Sequence, residues 1–369
     1  MKKTTQNNKR IIFTGGGSAG HVTPNLALIA ELKKEGWKIF YIGSKNGQEK
    51  HIVQKIKIPY FSIPTGKLRR YFSWQNFIDP LKIFFGIINA YFLCWKIRPH
   101  MVFSKGGFVA FPVVVAAWAY RIPVIVHESD YSPGLANRLS FPFASKICFT
   151  FEDTKKYINP KYKNKLVWSG TPIRPELFKG DAALGRKICG FTNDKKVIFV
   201  QGGGLGADDV NKLIRELLPA LQKDFQIVHS CGKGKIDYNF DEFPDYHQSE
   251  YFHEELPHIL ACSDLVISRA GANSVHELLA LKKPHLLLPL SQKSSRGDQL
   301  LNAQHYANLG LSAVIYPEDL NIKTLQEKIY DLSNDLANCQ KALLQYQMPN
   351  GVKIICSLIK LDLKKELKL

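Results

Sequence analysis

Two short glycine-rich segments, one in each half of the chain, restrict its possible folds more than any other feature. The first, Thr14-Gly15-Gly16-Gly17-Ser18-Ala19-Gly20-His21, follows the apolar run Ile11-Ile12-Phe13. The second, Gln201-Gly202-Gly203-Gly204-Leu205-Gly206, follows Val197-Ile198-Phe199-Val200. Each apolar run reads as a buried parallel strand, and each downstream stretch reads as a helix. Strand, glycine turn and helix start together turn several backbone N–H groups toward an anion. Two such units predict an α/β chain of two Rossmann-like, doubly wound parallel-sheet domains facing a cleft.

At 369 residues the chain exceeds one ordinary core, and a hydrophobic share of 45% supplies two. Its seven cysteines form no CxxC pair, and their neighbours are mostly apolar, as in Lys146-Ile147-Cys148-Phe149. They read as reduced, buried thiols rather than a disulfide or zinc framework. Lys and Arg total 50 against 32 Asp and Glu, a formal charge of +18. That excess favours phosphates, nucleic acid or an anionic membrane face, or else describes a solvated basic surface. No recognised motif accompanies the charge, so nucleic acid is not an expected partner. The start, MKKTTQNNKR, lacks the apolar core of a signal peptide, and no export is expected.

The run Ile83 to Trp95, IFFGIINAYFLCW, falls short of the ~20 residues of a spanning helix. Lys67, Arg69, Arg70 and Lys82 lie before it, and Lys96 and Arg98 after it. It reads as a core helix or as an interfacial membrane contact, and both hold if its two faces differ.

Strands are expected at 11–13, 38–42, 101–104, 124–126, 146–150 and 165–168, with helices at 24–35 and 109–120. Gly43-Ser44 reads as a turn, and Pro59, Pro64 and Gly66 as a loop. Gly170-Thr171-Pro172-Ile173-Arg174-Pro175 interrupts the pattern and reads as a hinge. Strands then follow at 197–200, 226–230, 264–268 and 285–288, with helices at 208–221 and 273–280. After the polar loop 291–297 the chain reads as helical. The expected domains are 1–170 and 171–345, with 346–369 a helix packing back on the first domain.

Several residues are candidates for chemistry. GGGSAGH is no dinucleotide fingerprint, because Tyr41-Ile42-Gly43-Ser44 offers no acid for a ribose. The paired architecture therefore suits a nucleotide-sugar enzyme better than a dehydrogenase. His21 reads as a base working near neutral pH or as a helix-start cap. Glu128, at the end of a strand, reads as a base, as the group that orients one, or as an exposed loop carboxylate. Lys105-Gly106-Gly107-Phe108 lets backbone approach a second anion, or is an ordinary turn. Arg269 to Glu277 follows a strand and opens a helix, an anion site by geometry, where Glu277 can take both hydroxyls of a ribose. Asp298, Gln299 and Asn302 can offer hydrogen bonds to sugar hydroxyls.

Seven ordered stretches resemble the MurG family of peptidoglycan N-acetylglucosaminyltransferases, in its Gram-positive form, over nearly the whole chain. They are TGGGSAGHVTPNLAL (14–28), SKGGFVAFPVVVAA (104–117), HESDYSPGLANRLS (127–140), GTPIRPEL (170–177), GGGLGA (202–207), SRAGANSVHELLALKKP (268–284) and LSQKSSRGDQLLNA (290–303). The resemblance implies a GT-B fold and inverting transfer from UDP-N-acetylglucosamine to lipid I, giving lipid II, with no cofactor and no metal. It implies a peripheral enzyme on the cytoplasmic face of the inner membrane, working beside other cell-wall synthesis proteins in cell shape and division.

It also implies donor contacts at Ser18, Ala19, Gly20, Arg174 and Gly204. The uracil and ribose would lie at His253 and at Ala272, Asn273, Ser274, Val275, His276 and Glu277, with Gln299 on the sugar. The acceptor diphosphate would lie near Gly106, Gly107, Phe108 and Asn137, and His21 and Glu128 match the candidate bases. Gly204 departs from the family's usual serine, removing a hydroxyl worth about 1 kcal/mol to the donor diphosphate. Asp130 replaces a frequent asparagine, as the Gram-positive form does. The alternatives are another GT-B sugar-lipid transferase, a UDP-GlcNAc 2-epimerase, or a catalytically impaired membrane scaffold. The HES and KGGF stretches weigh against the epimerase.

Overall fold

A computed structural model describes residues 9–17, 19–66, 75–192, 195–203, 206–292 and 296–366. The chain forms two compact units, Met1–Ile173 with Pro349–Leu369, and Arg174–Met348.

The first unit holds β1 (Arg10–Thr14), β2 (Lys38–Ser44), β3 (Tyr60–Ile63), β4 (Met101–Ser104), β5 (Val124–Glu128), β6 (Lys146–Phe149) and β7 (Leu166–Trp168). They form one parallel sheet in the order β3-β2-β1-β4-β5-β6-β7. Side chains alternate across it. Ile11, Phe13, Phe103 and Ile125 pack on one face with Leu28, Leu32, Val53, Ile355 and Ile359. Ile12, Val102 and Val126 pack on the other with Ala90, Cys94, Val113 and Ala117. Both faces are covered, which is why the strands read as continuous apolar runs. The helix Gly351–Glu366 supplies Ile355, Cys356 and Ile359, so a late segment completes this core.

The second unit holds β8 (Lys196–Gln201), β9 (Phe225–Ser230), β10 (Tyr246–Ser249), β11 (Leu265–Ser268), β12 (His285–Leu287) and β13 (Ala313–Val314). Their order is β10-β9-β8-β11-β12-β13, again parallel. The helix Asp208–Leu221 lays Val210, Ile214, Leu217, Leu218 and Leu221 on the sheet, a spacing of three to four that makes one apolar stripe.

Three expectations need correction. Gly43 and Ser44 are not a turn; they extend β2, because β3 pairs with them in register, Gly43 with Ser62 and Ser44 with Ile63. The segment between Pro59 and Pro64 is that strand rather than loop, and Pro fits its edge position. The apolar run is longer than read: the helix is Gln75–Ile97, and its 19 residues Asp79–Ile97 are long and apolar enough to cross a membrane. A strictly apolar count stops at Lys82, whereas the helix continues through Lys82, Pro80 and Asp79. Lys67, Arg69 and Arg70 lie outside the described residues. All seven cysteines are unpaired, and six are buried.

Candidate active site

Strand order reverses between β1 and β4 in one sheet and between β8 and β11 in the other. Open α/β sheets bind ligands beyond the strand C-termini at such a reversal. The glycine turns stand at those ends: Gly15–Gly17 after β1, Gly106-Gly107 after β4, Gly202-Gly203 after β8, and Gly271 after β11.

In the first unit the two turns interlock. Gly107 has φ +83°, and a Cβ there would collide with the Gly16 carbonyl oxygen. Buried side chains hold the first turn from beneath. The Tyr41 hydroxyl donates to Gly15 O at 2.7 Å, and Asn25 Nδ2 donates to that hydroxyl at 3.1 Å. Glu49, fully buried, accepts Ser44 N–H at 2.9 Å and Gly17 N–H at 3.4 Å. The acid missing from the end of β2 is therefore supplied by the next helix, and it binds the loop's own backbone. No motif pairs residue 49 with residue 17, so sequence reading passes over it. His21 ends the short helical turn Ala19–His21, half-buried, and its carbonyl accepts Asn25 Nδ2 at 3.4 Å. Ser18 lies outside the described residues.

Glu128 is not an exposed loop carboxylate. It is 4% exposed, and its oxygens accept Asp130 N–H (2.9 Å), Gly134 N–H (3.0 Å) and Asn137 Nδ2 (2.8 Å). Asn137 is buried too and also donates to His127 O at 3.2 Å. Glu128 and Asn137 thus shape the loop that follows β5, directly against Gly106, where a Cβ would meet Asn137 Oδ1 at 2.8 Å. Phe108 is half-buried beside them.

In the second unit, Arg174 and Glu277 meet. Arg174 Nε and Nη2 both donate to Glu277 Oε1, at 3.2 and 3.1 Å. Burial raises the Glu277 carboxyl above its ordinary range, and the guanidinium opposes that shift. The helix Ala272–Ala280 starts at Gly271, which gives no side-chain cap, so its positive dipole end stands at the C-terminal end of β11. Helical periodicity sorts its first turn. Asn273, Ser274 and Glu277 are half-exposed, whereas Ala272, Val275 and His276 are buried. His276 is therefore no ligand side chain: its Nδ1–H donates to Ala272 O at 2.6 Å, and Tyr306 O–H donates to its Nε2 at 2.7 Å. Asn302 needs the same correction; it is fully buried and donates to Ala270 O at 3.1 Å, fixing the turn before that helix.

Gln299 is half-exposed and accepts Leu290 N–H at 3.2 Å. His253 is exposed, stacked on Tyr251 with ring centroids 6.0 Å apart. Arg269, buried, bonds Asp209 and donates to Leu288 O at 3.1 Å, tying the starts of two helices to one strand end. Gly204 lies outside the described residues. Among the described residues no group of three or more His, Cys, Asp or Glu side chains is placed to hold a metal ion.

Paired Rossmann-like units with glycine turns at both strand-order reversals make the GT-B architecture, and the family matches place the chain among glycosyltransferases. Residues 11–149 match the glycosyltransferase family 28 N-terminal domain, and 197–351 the glycosyltransferase family 28 C-terminal domain. A relative from Legionella pneumophila (strain Paris) is 52% identical over 336 residues, 90% of this chain and 92% of its own. It is named UDP-N-acetylglucosamine–N-acetylmuramyl-(pentapeptide) pyrophosphoryl-undecaprenol N-acetylglucosamine transferase. A Bacillus cereus relative named as the second such transferase is 48% identical, covering 94% of this chain and 98% of its own. The crystal structure of Acinetobacter baumannii MurG superposes with TM-score 0.73 at 22% identity, covering 95% of this chain and 99% of that one. The chain belongs to the MurG family of N-acetylglucosaminyltransferases.

Proposed function

We propose that the protein transfers N-acetylglucosamine from UDP-N-acetylglucosamine to lipid I, the muramyl-pentapeptide on undecaprenyl diphosphate, giving lipid II for peptidoglycan synthesis. The observation that carries this reading is the 52% identity spanning both domains.

The donor belongs to the second unit. Glu277 takes the ribose hydroxyls, Arg174 and the helix start at Gly271 face the diphosphate, and His253 and Gln299 meet the uracil and the sugar. As the bond from the anomeric carbon to the diphosphate breaks, negative charge grows on UDP. A fixed helix dipole and guanidinium stabilise that charge without reorganising. The acceptor belongs to the first unit. Its C4 hydroxyl is a weak nucleophile and must lose its proton as it attacks. His21 is the better base, because the Glu128 oxygens already hold three donors of their own loop. Glu128 then shapes the acceptor loop.

The helix Gln75–Ile97 docks the protein on an anionic membrane surface. Ala90, Cys94 and Ile97 are buried in the core, whereas Phe84, Phe85, Phe92 and Trp95 are 54–62% exposed, with Trp118 nearby at 54%. Lys82, Lys96, Arg98 and Arg121 are exposed among or beside them. One face is committed to protein, so the helix lies in the interface rather than across the bilayer.

The test is UDP release by the purified protein with and without a soluble lipid I analogue. Acceptor-dependent release, with the disaccharide identified by mass, is the expected result. Equal release without acceptor, or none with it, would overturn the transferase reading.

A further inference from the structure

Among the described residues, Lys105 is the only buried lysine, 1% exposed at the end of β4. Its Nζ lies 2.7 Å from His127 Nδ1 and also donates to Ser129 Oγ. On its other side, His127 Nε2 lies 2.9 Å from Gly170 O. A carbonyl only accepts, so Nε2 carries the hydrogen and Nδ1 presents its lone pair to the ammonium. The backbone of Lys105 is bound as well, donating to Thr14 O at 2.9 Å, and a Cβ on Gly15 would meet its Cβ at 3.1 Å. The stem therefore lies against the first glycine turn, its own residue begins the second, and its head reaches the loop of Glu128.

We propose that Lys105 is a positioning residue for the transfer reaction: through Ser129 and His127 it fastens the Glu128 loop to the two glycine turns. The inference rests on the transferase reading above, with the acceptor on the first unit.

A buried charge is an expensive way to join two loops. Burial pulls the ammonium down to about 7, against the attraction of Glu128 and Asp130 and, more weakly, Cys148. His127 is a further titratable group in contact with it. An unfolded lysine titrates near 10.4. The folded chain thus binds fewer protons between these two values, and the charged form costs stability throughout the neutral range. An apolar side chain of similar length takes away the ammonium that Ser129 and His127 share, so a purely structural role would show as lost stability and a role in turnover as lost kcat at unchanged stability.

The experiment compares wild type, Lys105→Met and Ser129→Ala in acceptor-dependent UDP release across pH, alongside melting temperature. In the wild type, kcat is expected to fall as pH rises through about 7, where Lys105 loses its proton. Lys105→Met should lower kcat about tenfold at pH 7, the worth of a charge-assisted hydrogen bond. It should also abolish that alkaline limb and leave both the KM for UDP-N-acetylglucosamine and the melting temperature intact. Ser129→Ala removes an acceptor that favours the ammonium, so its limb should move to lower pH. A Lys105→Met profile with the wild-type limb would overturn the proposal. So would a kcat loss matched by a fallen melting temperature, with Ser129→Ala keeping the wild-type profile. If the wild type itself releases no UDP with acceptor, the transferase reading fails and takes this proposal with it.

Discussion

Arg174 and Glu277 are each assigned to the donor, yet they bind one another through a single carboxylate oxygen. A ribose at Glu277 would find the second oxygen outside that pair, and the guanidinium opposes the upward shift that burial gives the acid. Replacing Glu277 with Ala is expected to weaken UDP-N-acetylglucosamine binding about tenfold or more, since hydrogen bonds to a charged group are lost. Unchanged affinity by calorimetry would refute the ribose assignment. His21→Ala is expected to lower kcat about 100-fold with donor affinity kept, the usual cost of losing a general base. A change confined to KM would remove His21 from that role. The glycine turns, the strand-end position of Glu128 and the helix position of Glu277 were legible in sequence, because the apolar strand before each is plain to read. Glu49, Tyr41 and Lys105 were not, because their partners are set by tertiary packing that no local pattern encodes. His276 and Asn302 show the same limit: their polarity was visible, but not that both side chains turn inward to satisfy buried carbonyls.

Among elements, the close approach of the two glycine turns is the most demanding feature. Gly107→Ala adds a methyl against Gly16 O at a backbone angle that favours glycine. A loss of about 1–3 kcal/mol is expected in chemical denaturation, the usual cost of such strain; a neutral effect would mean that the turns separate freely. The helix Gln75–Ile97 makes a second test. Exchanging exposed Phe84 and Phe92 for Ser should abolish co-sedimentation with anionic vesicles while leaving the melting temperature unchanged. Retained binding would move the membrane contact elsewhere. Central strands were readable because both faces are buried and their apolar runs are unbroken. The strands β3, β10 and β13 lie at sheet edges and are only four, four and two residues long, so periodicity gave them no signal.

For the molecule as a whole, charge and acid stability can be read together. With a formal charge of +18, the proposed vesicle binding is expected to fade with salt as the Debye length contracts. Two of the histidines buried in the second unit are held in their neutral form. His229, between Tyr246 O–H and Asn211 Oδ1, is held down to about 3, and His285, beside Ser312, to about 4. Burial is the cause in both. Each folded value lies below the unfolded value of about 6.5, so their stabilising contribution is full above that pH and drains away as pH falls toward 4 and below. The melting temperature should decline over that window, and His229→Gln should make the decline shallower. An unaltered slope in the variant would assign the acid sensitivity to other groups. Two domains were foreseeable from the repeated strand–glycine–helix unit alone, since each copy needs its own sheet to bury against.

The first unit is discontinuous in sequence, closing its core with Ile355, Cys356 and Ile359 from beyond the entire second unit. During synthesis, then, residues 174–348 have everything they need before the earlier half does. The half that carries the exposed aromatic helix waits, its sheet face uncovered, until residues 349–369 emerge. A nascent chain emerged only as far as residue 348 would present a finished second unit and an unfinished first unit. Membrane affinity acquired at that stage would belong to a protein not yet able to hold its acceptor loops in place.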